Sequence, residues 1–140
     1  MITIELTPKE AIEVKEKLPH LASKIHSNYN WQDIKTLEDA CGVLGIKPPS
    51  EIEDPDIVAY QKLKIIIRAI NQGWTPDWND SNQYKYWPWF VLSSGFGFSY
   101  SFYSYDYADT SVGSRLCFES REKSDYTAQQ FLDLYKQFLT

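Results

Sequence analysis

The sequence predicts an α+β fold in which N-terminal helices precede an aromatic three-stranded antiparallel meander and a C-terminal helix packs on the sheet. Three observations carry this. Apolar residues up to position 71 recur at helical spacing. Composition changes at Gly73, after which residues 84–118 alternate with period two and are rich in aromatics and serine. The last twenty residues return to helical periodicity.

Thr7-Pro8-Lys9-Glu10 reads as a capping box with proline at the first helical position. The helix it opens carries Ala11, Val14 and Leu18 on one stripe, breaks at Pro19, and restarts as a short helix holding Leu21, Ala22 and Ile25. Thr36 with Asp39 starts the next helix, whose stripe Leu37, Ala40, Cys41 and Leu44 stops at Gly45. A proline-rich, acidic connection leads to a longer helix over 56–71, where Ala59, Leu63, Ile66, Ile67 and Ile70 lie on one side and Ile65 widens the arc. Lys64 and Arg68 interrupt its apolar run.

Residues 74–83 are loop-forming. The first strand is expected over 85–92, with Pro88 favouring an edge position. After a turn at Ser93-Ser94-Gly95, the second strand alternates Phe96, Phe98, Tyr100 and Phe102 with glycine and serine. The adjacent Phe102 and Tyr103 slip the phase, which fits a bulge or strand end. A third strand is expected over 112–118, and Ser120 caps a final helix to Leu139 with Ala128, Phe131, Tyr135, Phe138 and Leu139 inward.

A chain of 140 residues is the common size of one domain, here a helical half (1–73) and a sheet with its C-terminal helix (74–140). The two cysteines, Cys41 and Cys117, sit in apolar stretches and read as buried free thiols of a reducing compartment. No basic segment followed by an apolar run opens the chain, and the apolar run 63–70 is far shorter than a membrane span, so a cytoplasmic protein is expected. The net charge of −5, with no basic half, disfavours duplex DNA.

No catalytic, metal or cofactor signature stands out. His20 and His26 are the only histidines and lack partners at zinc spacing. Asp77, Asn79 and Ser81 occupy the first calcium-loop positions, but the sixth lacks glycine and the twelfth is Pro88, so residues 77–82 read as a capped turn. Gly95 and Gly97 fit neither a phosphate loop nor a nucleophile elbow, and read as room for Trp87 or Trp89. The helices at Thr36 and Asp56 are too widely separated for a helix-turn-helix.

The aromatic sheet is the functional signal. Twelve of the 24 residues over 84–107 are aromatic, more than one packed face needs. Trp87, Trp89, Tyr103 and Tyr105 on the sheet, Trp74 and Trp78 in the loop, and Arg115 as polar anchor are the candidate binding residues. Arg115 could instead pair with Asp106 or Asp109. Contact with a protein partner, self-association included, is the leading reading. Single-stranded nucleic acid stacked on the aromatics is the alternative, although residues 84–118 hold only Lys85 and Arg115 against Asp106 and Asp109. A glycan-acting enzyme would need Asp77 and Asp80 as a carboxylate pair.

Trp74-Thr75-Pro76-Asp77-Trp78, Tyr86-Trp87-Pro88-Trp89-Phe90, Gly95-Phe96-Gly97-Phe98 and Val112-Gly113-Ser114-Arg115-Leu116-Cys117-Phe118, continuing to Ser120-Arg121-Glu122, resemble segments of a family of uncharacterised proteins. That family occurs in phages and prophages of Bacteroides-type gut bacteria. The helix Thr36-Leu37-Glu38-Asp39-Ala40-Cys41 resembles a recurrent element of the same proteins. The resemblance covers about half of the chain and implies a phage-derived setting, with no activity attached to any residue.

Overall fold

The structure is a computed structural model that describes residues 4–92 and 99–140, so the expected Gly95, Phe96, Gly97 and Phe98 register lies outside the described residues. Local signals set the helix ends. In α1 (Pro8–Lys17) the Thr7 hydroxyl accepts the Glu10 N–H at 3.2 Å and the Glu10 carboxylate accepts the Thr7 N–H at 3.0 Å. Ile12, which lies off the expected stripe, is buried in the core, while Leu18 is exposed. Beyond Pro19 the chain forms a 3₁₀ turn, Pro19–Lys24, rather than an α-helix. α2 (Leu37–Leu44) has the same reciprocal cap at Thr36 and Asp39, and Gly45 closes it at φ 66°.

α3 (Pro55–Asn71) is the central element. Val58, Ala59, Leu63, Ile66, Ile67, Ala69 and Ile70 are all buried, and α2, α5 and the turn at Ser114–Leu116 pack against this helix. One core cluster joins both halves of the chain, drawing on Ile12, Ile34, Leu44, the α3 stripe, Leu116, Phe118 and Tyr135. The expected single C-terminal helix is two: α4 (Arg121–Gln130) and α5 (Leu132–Leu139), broken at Phe131, whose φ of −117° leaves the helical range. The break turns Tyr135 and Phe138 into the core, and Leu139 is exposed rather than inward. Among the described residues no helix is long and apolar enough to cross a membrane.

The architecture is mixed helix and strand, an α+β class, but the sheet has two described strands and not three. β1 (Lys85–Val91) pairs antiparallel with β2 (Ser99–Asp106). The expected third strand is reduced to one bridge: the Tyr86 N–H donates to Phe118 O at 3.2 Å and the Phe118 N–H to Tyr86 O at 2.7 Å. Both backbone groups of Tyr86 thus point away from β2, and by alternation so does the backbone of Pro88. The next pair would join Pro88 to Leu116 and needs an N–H that proline lacks. Leu116 instead donates to Gly113 O within the 3₁₀ turn, and on the other side of the bridge Ser120 is taken as the N-cap of α4. Pro88 does face a sheet edge, and it stops the third strand there.

The phase slip falls at Ser101, one residue before the expected place. Trp89 pairs with Phe102 and Phe90 with Tyr100, leaving Ser101 as the extra residue of a bulge. The bulge puts Tyr100 and Phe102 on opposite faces, although they are two residues apart. Tyr86, Pro88, Phe90, Tyr100, Tyr103 and Tyr105 share the face toward α4 and α5, where Phe90 meets Tyr135 and the Tyr100 hydroxyl reaches Asp125. Lys85, Trp87, Trp89, Phe102 and Ser104 share the other.

Candidate functional site

The seven expected binding residues separate into three places. The first is a groove of about 520 Å³ between α3, the loop after it and the turn at Ser114–Leu116. α3 ends with Gln72 in the left-handed region and Gly73 at φ 92°, and this reversal lets the Trp74 N–H donate to Asn71 O and sends the loop back along the helix. Its lining takes Trp74, Pro76 and Trp78 from the loop, Lys64, Ile67 and Arg68 from α3, and Arg115 from the turn. Trp78 is tied down twice: its indole N–H donates to Ser114 Oγ at 2.6 Å, and the Lys85 ammonium lies 5.0 Å from its ring centre. Trp74 has no ring partner among the described residues.

The groove is basic within an acidic protein, with Lys64, Arg68 and Arg115 against Glu16. Arg68 is already committed: its guanidinium makes two hydrogen bonds to the Glu16 carboxylate, at 2.8 and 2.7 Å, and that pairing holds its pKa above the ordinary value. Arg115 is exposed, sits on a 3₁₀ turn rather than the expected strand, and has no hydrogen bond or ion pair among the described residues; it pairs with neither Asp106 nor Asp109. The Lys64 ammonium lies 4.9 Å from the Tyr60 ring centre and has no ion pair among the described residues. A second hollow shares Lys64 and Arg68 and is otherwise lined by residues that include Lys47, Pro49, Ile52 and Glu53; its lining contains no aromatic residue.

The sheet carries the other two places. On the face away from the helices Trp89 and Phe102 are cross-strand partners, 51% and 59% exposed. Trp87, two residues earlier on the same face, is 5% exposed and does not offer a free ring; its indole nitrogen has no partner among the described residues. On the opposite face Tyr84, Tyr86, Tyr103, Tyr105 and Tyr107 form a ladder with neighbouring centroids 4.1 to 6.1 Å apart. The Tyr84 and Tyr107 hydroxyls bond each other, which raises the Tyr84 pKa. Tyr103 is half-buried under Arg121, 5.2 Å from its ring centre, whereas Tyr105 is 51% exposed.

Family models, curated proteins and solved structures yield no match to this chain. The side chains themselves therefore carry the functional argument.

The acidic loop is occupied by its own caps. Asp77 Oδ1 accepts the Asn79 N–H and Asp80 Oδ1 the Asn82 N–H, both at 2.9 Å, and Gln83 Oε1 accepts the Asp77 N–H at 2.7 Å. Among the described residues no group of three or more His, Cys, Asp or Glu side chains is placed to hold a metal ion. Cys41 and Cys117 are buried free thiols, each with its pKa raised by burial. Sequence reasoning missed Lys64, Arg68 and Glu16 as neighbours of the tryptophan loop. The visible signal was a pair of cations four residues apart on an otherwise apolar helix.

Proposed function

We propose that this chain acts by binding rather than by catalysis, and that its partner is a second copy of itself added at the outer edge of β2. One observation carries the reading. By alternation from Tyr86, the outward backbone groups of β2 belong to Tyr103 and Tyr105, and among the described residues they have no backbone partner. That open edge lies between exposed aromatics on both faces, with Phe102 and Trp89 on one and Tyr105 on the other. Natural edge strands are blunted by lysine, proline, short length or a bulge; over Ser99–Asp106 this one has neither lysine nor proline, and its bulge at Ser101 lies before Tyr103 and Tyr105. Antiparallel pairing about a two-fold axis would join both aromatic faces with their counterparts, a self-complementary contact.

Single-stranded nucleic acid gains less support from the same surface. Lys85 is buried, and Arg121 lies over Tyr103 and 3.6 Å from Asp125. The resemblance to phage and prophage proteins supports a phage-derived setting for the proposed role.

Sedimentation equilibrium tests the proposal. The chain is expected to dimerise with increasing concentration, and Phe102→Lys, a change at an exposed position, is expected to leave a monomer with unaltered unfolding. A chain that stays monomeric at all concentrations, or a dimer indifferent to Phe102→Lys and Tyr105→Lys alike, overturns it.

A further inference from the structure

We propose that the groove between α3 and the tryptophan loop is a second binding site, independent of the β2 edge, and that it takes a small phosphorylated ligand bearing a flat ring, a nucleotide. Its volume of about 520 Å³ falls in the range of small-molecule sites. Its chemistry divides into two parts that such a ligand joins.

The first part is unspent positive charge. Three cations and one carboxylate line the groove, and the carboxylate is consumed by Arg68. Arg115 and Lys64 remain without an anion among the described residues, in a chain whose net charge is −5. A guanidinium offers paired N–H donors that match phosphate oxygens, and an ammonium adds a point charge. The second part is aromatic. Trp74 has no ring partner among the described residues, and Trp78 is anchored by Ser114 and by Lys85. Indole stacks a nucleobase irrespective of its sequence identity.

The lining limits what the site can read. Asn71, the one amide in the lining, is spent on both sides: its Nδ2 donates to Cys117 O at 2.9 Å and its Oδ1 accepts the Glu119 N–H at 3.2 Å. With the amide engaged and only the Thr75 and Ser114 hydroxyls left as neutral side-chain polar groups, recognition rests chiefly on stacking and charge, and the site tolerates different bases. None of the groove residues belongs to β2, so self-association and ligand binding are separable.

Isothermal titration calorimetry of the full chain with adenosine 5′-monophosphate, adenosine and inorganic phosphate tests the site. Saturable binding is expected for the nucleotide, weaker by about tenfold or more for either fragment. Arg115→Ala and Lys64→Ala are each expected to weaken the nucleotide by about tenfold, while Phe102→Lys leaves it unchanged. Circular dichroism of each variant separates lost binding from lost folding, and uridine 5′-monophosphate is expected to bind as well. Absence of binding up to about 1 mM nucleotide overturns the proposal. So does adenosine or phosphate binding as tightly as the nucleotide, or an affinity that neither groove variant alters. Binding of an oligonucleotide but not of the mononucleotide overturns it in favour of a single strand.

Discussion

Replacing Lys85 by methionine tests how the tryptophan loop is held. Lys85 is the first residue of β1 and is fully buried, yet among the described residues no carboxylate forms a salt bridge with it. Its ammonium donates to Tyr107 O at 2.7 Å and to Asp80 O at 3.2 Å and lies 5.0 Å from the Trp78 ring, so one side chain joins the loop, the start of β1 and the end of β2. Methionine keeps most of the apolar stem and deletes the charge. The two charge-assisted hydrogen bonds are worth about 3 kcal/mol together at the low end of their range. Asp80 and Tyr107 are exposed residues, and rehydration of their carbonyls in the variant is taken to return roughly half of that. Loss of the cation–π contact adds about 1 kcal/mol, and relief from burying an ammonium subtracts a comparable amount. The net expectation is a loss of about 1.5 kcal/mol, or roughly 5 °C in Tm for a chain of this length. Urea unfolding followed by circular dichroism measures it, with the exposed Lys136→Met as control. A loss below about 0.5 kcal/mol, or a gain, would refute the reasoning and make desolvation the dominant effect of this lysine. A double-mutant cycle with Trp78→Leu is expected to show a coupling of about 1 kcal/mol.

Two glycines with positive φ are expected to differ. At Gly45 (φ 66°) an added Cβ would lie 2.9 Å from Lys9 Cδ, the flexible part of a side chain, and Gly45→Ala is expected to cost about 1 kcal/mol. At Gly73 (φ 92°) it would lie 2.9 Å from Lys15 Cβ and 3.2 Å from Ile12 Cα, which cannot swing away, so Gly73→Ala should cost about twice as much or more in the same unfolding assay. Acid should weaken the start of α2. The Asp39 carboxylate accepts the Lys35 N–H at 3.0 Å and the Thr36 N–H at 3.1 Å, bonds that hold its pKa below the ordinary 3.8. A carboxylate depressed in the folded state stabilises above 3.8 and loses that contribution as pH falls through its lowered value. Asp39→Asn is therefore expected to flatten the decline in stability below about pH 4 in an acid titration followed by circular dichroism.

What the sequence determined by itself is the set of features that close within a few residues. The reciprocal caps at Thr7 and Thr36, the Ser120 cap, the stop at Gly45 and the break at Pro19 each involve groups no more than about four residues apart, so the residues that make them are adjacent in the text. The capped loop over residues 77–83 was legible for the same reason. The tertiary structure decided the rest. Pro88 could be read as an edge residue, but only its opposition to Leu116, across a bridge spanning from Tyr86 to Phe118, shows which edge it closes and why no third strand follows. Exposure of the tryptophans was likewise invisible: Trp87 and Trp89 share one face two residues apart, and one is buried while the other is half in solvent. The groove joins Glu16, Lys64, Arg68, Trp74, Trp78 and Arg115, drawn from four segments of the chain, and no periodicity links such distant positions. Whether a cation there is free or already neutralised depends on which carboxylate folding brings within reach, and for Arg68 that partner lies 52 residues away.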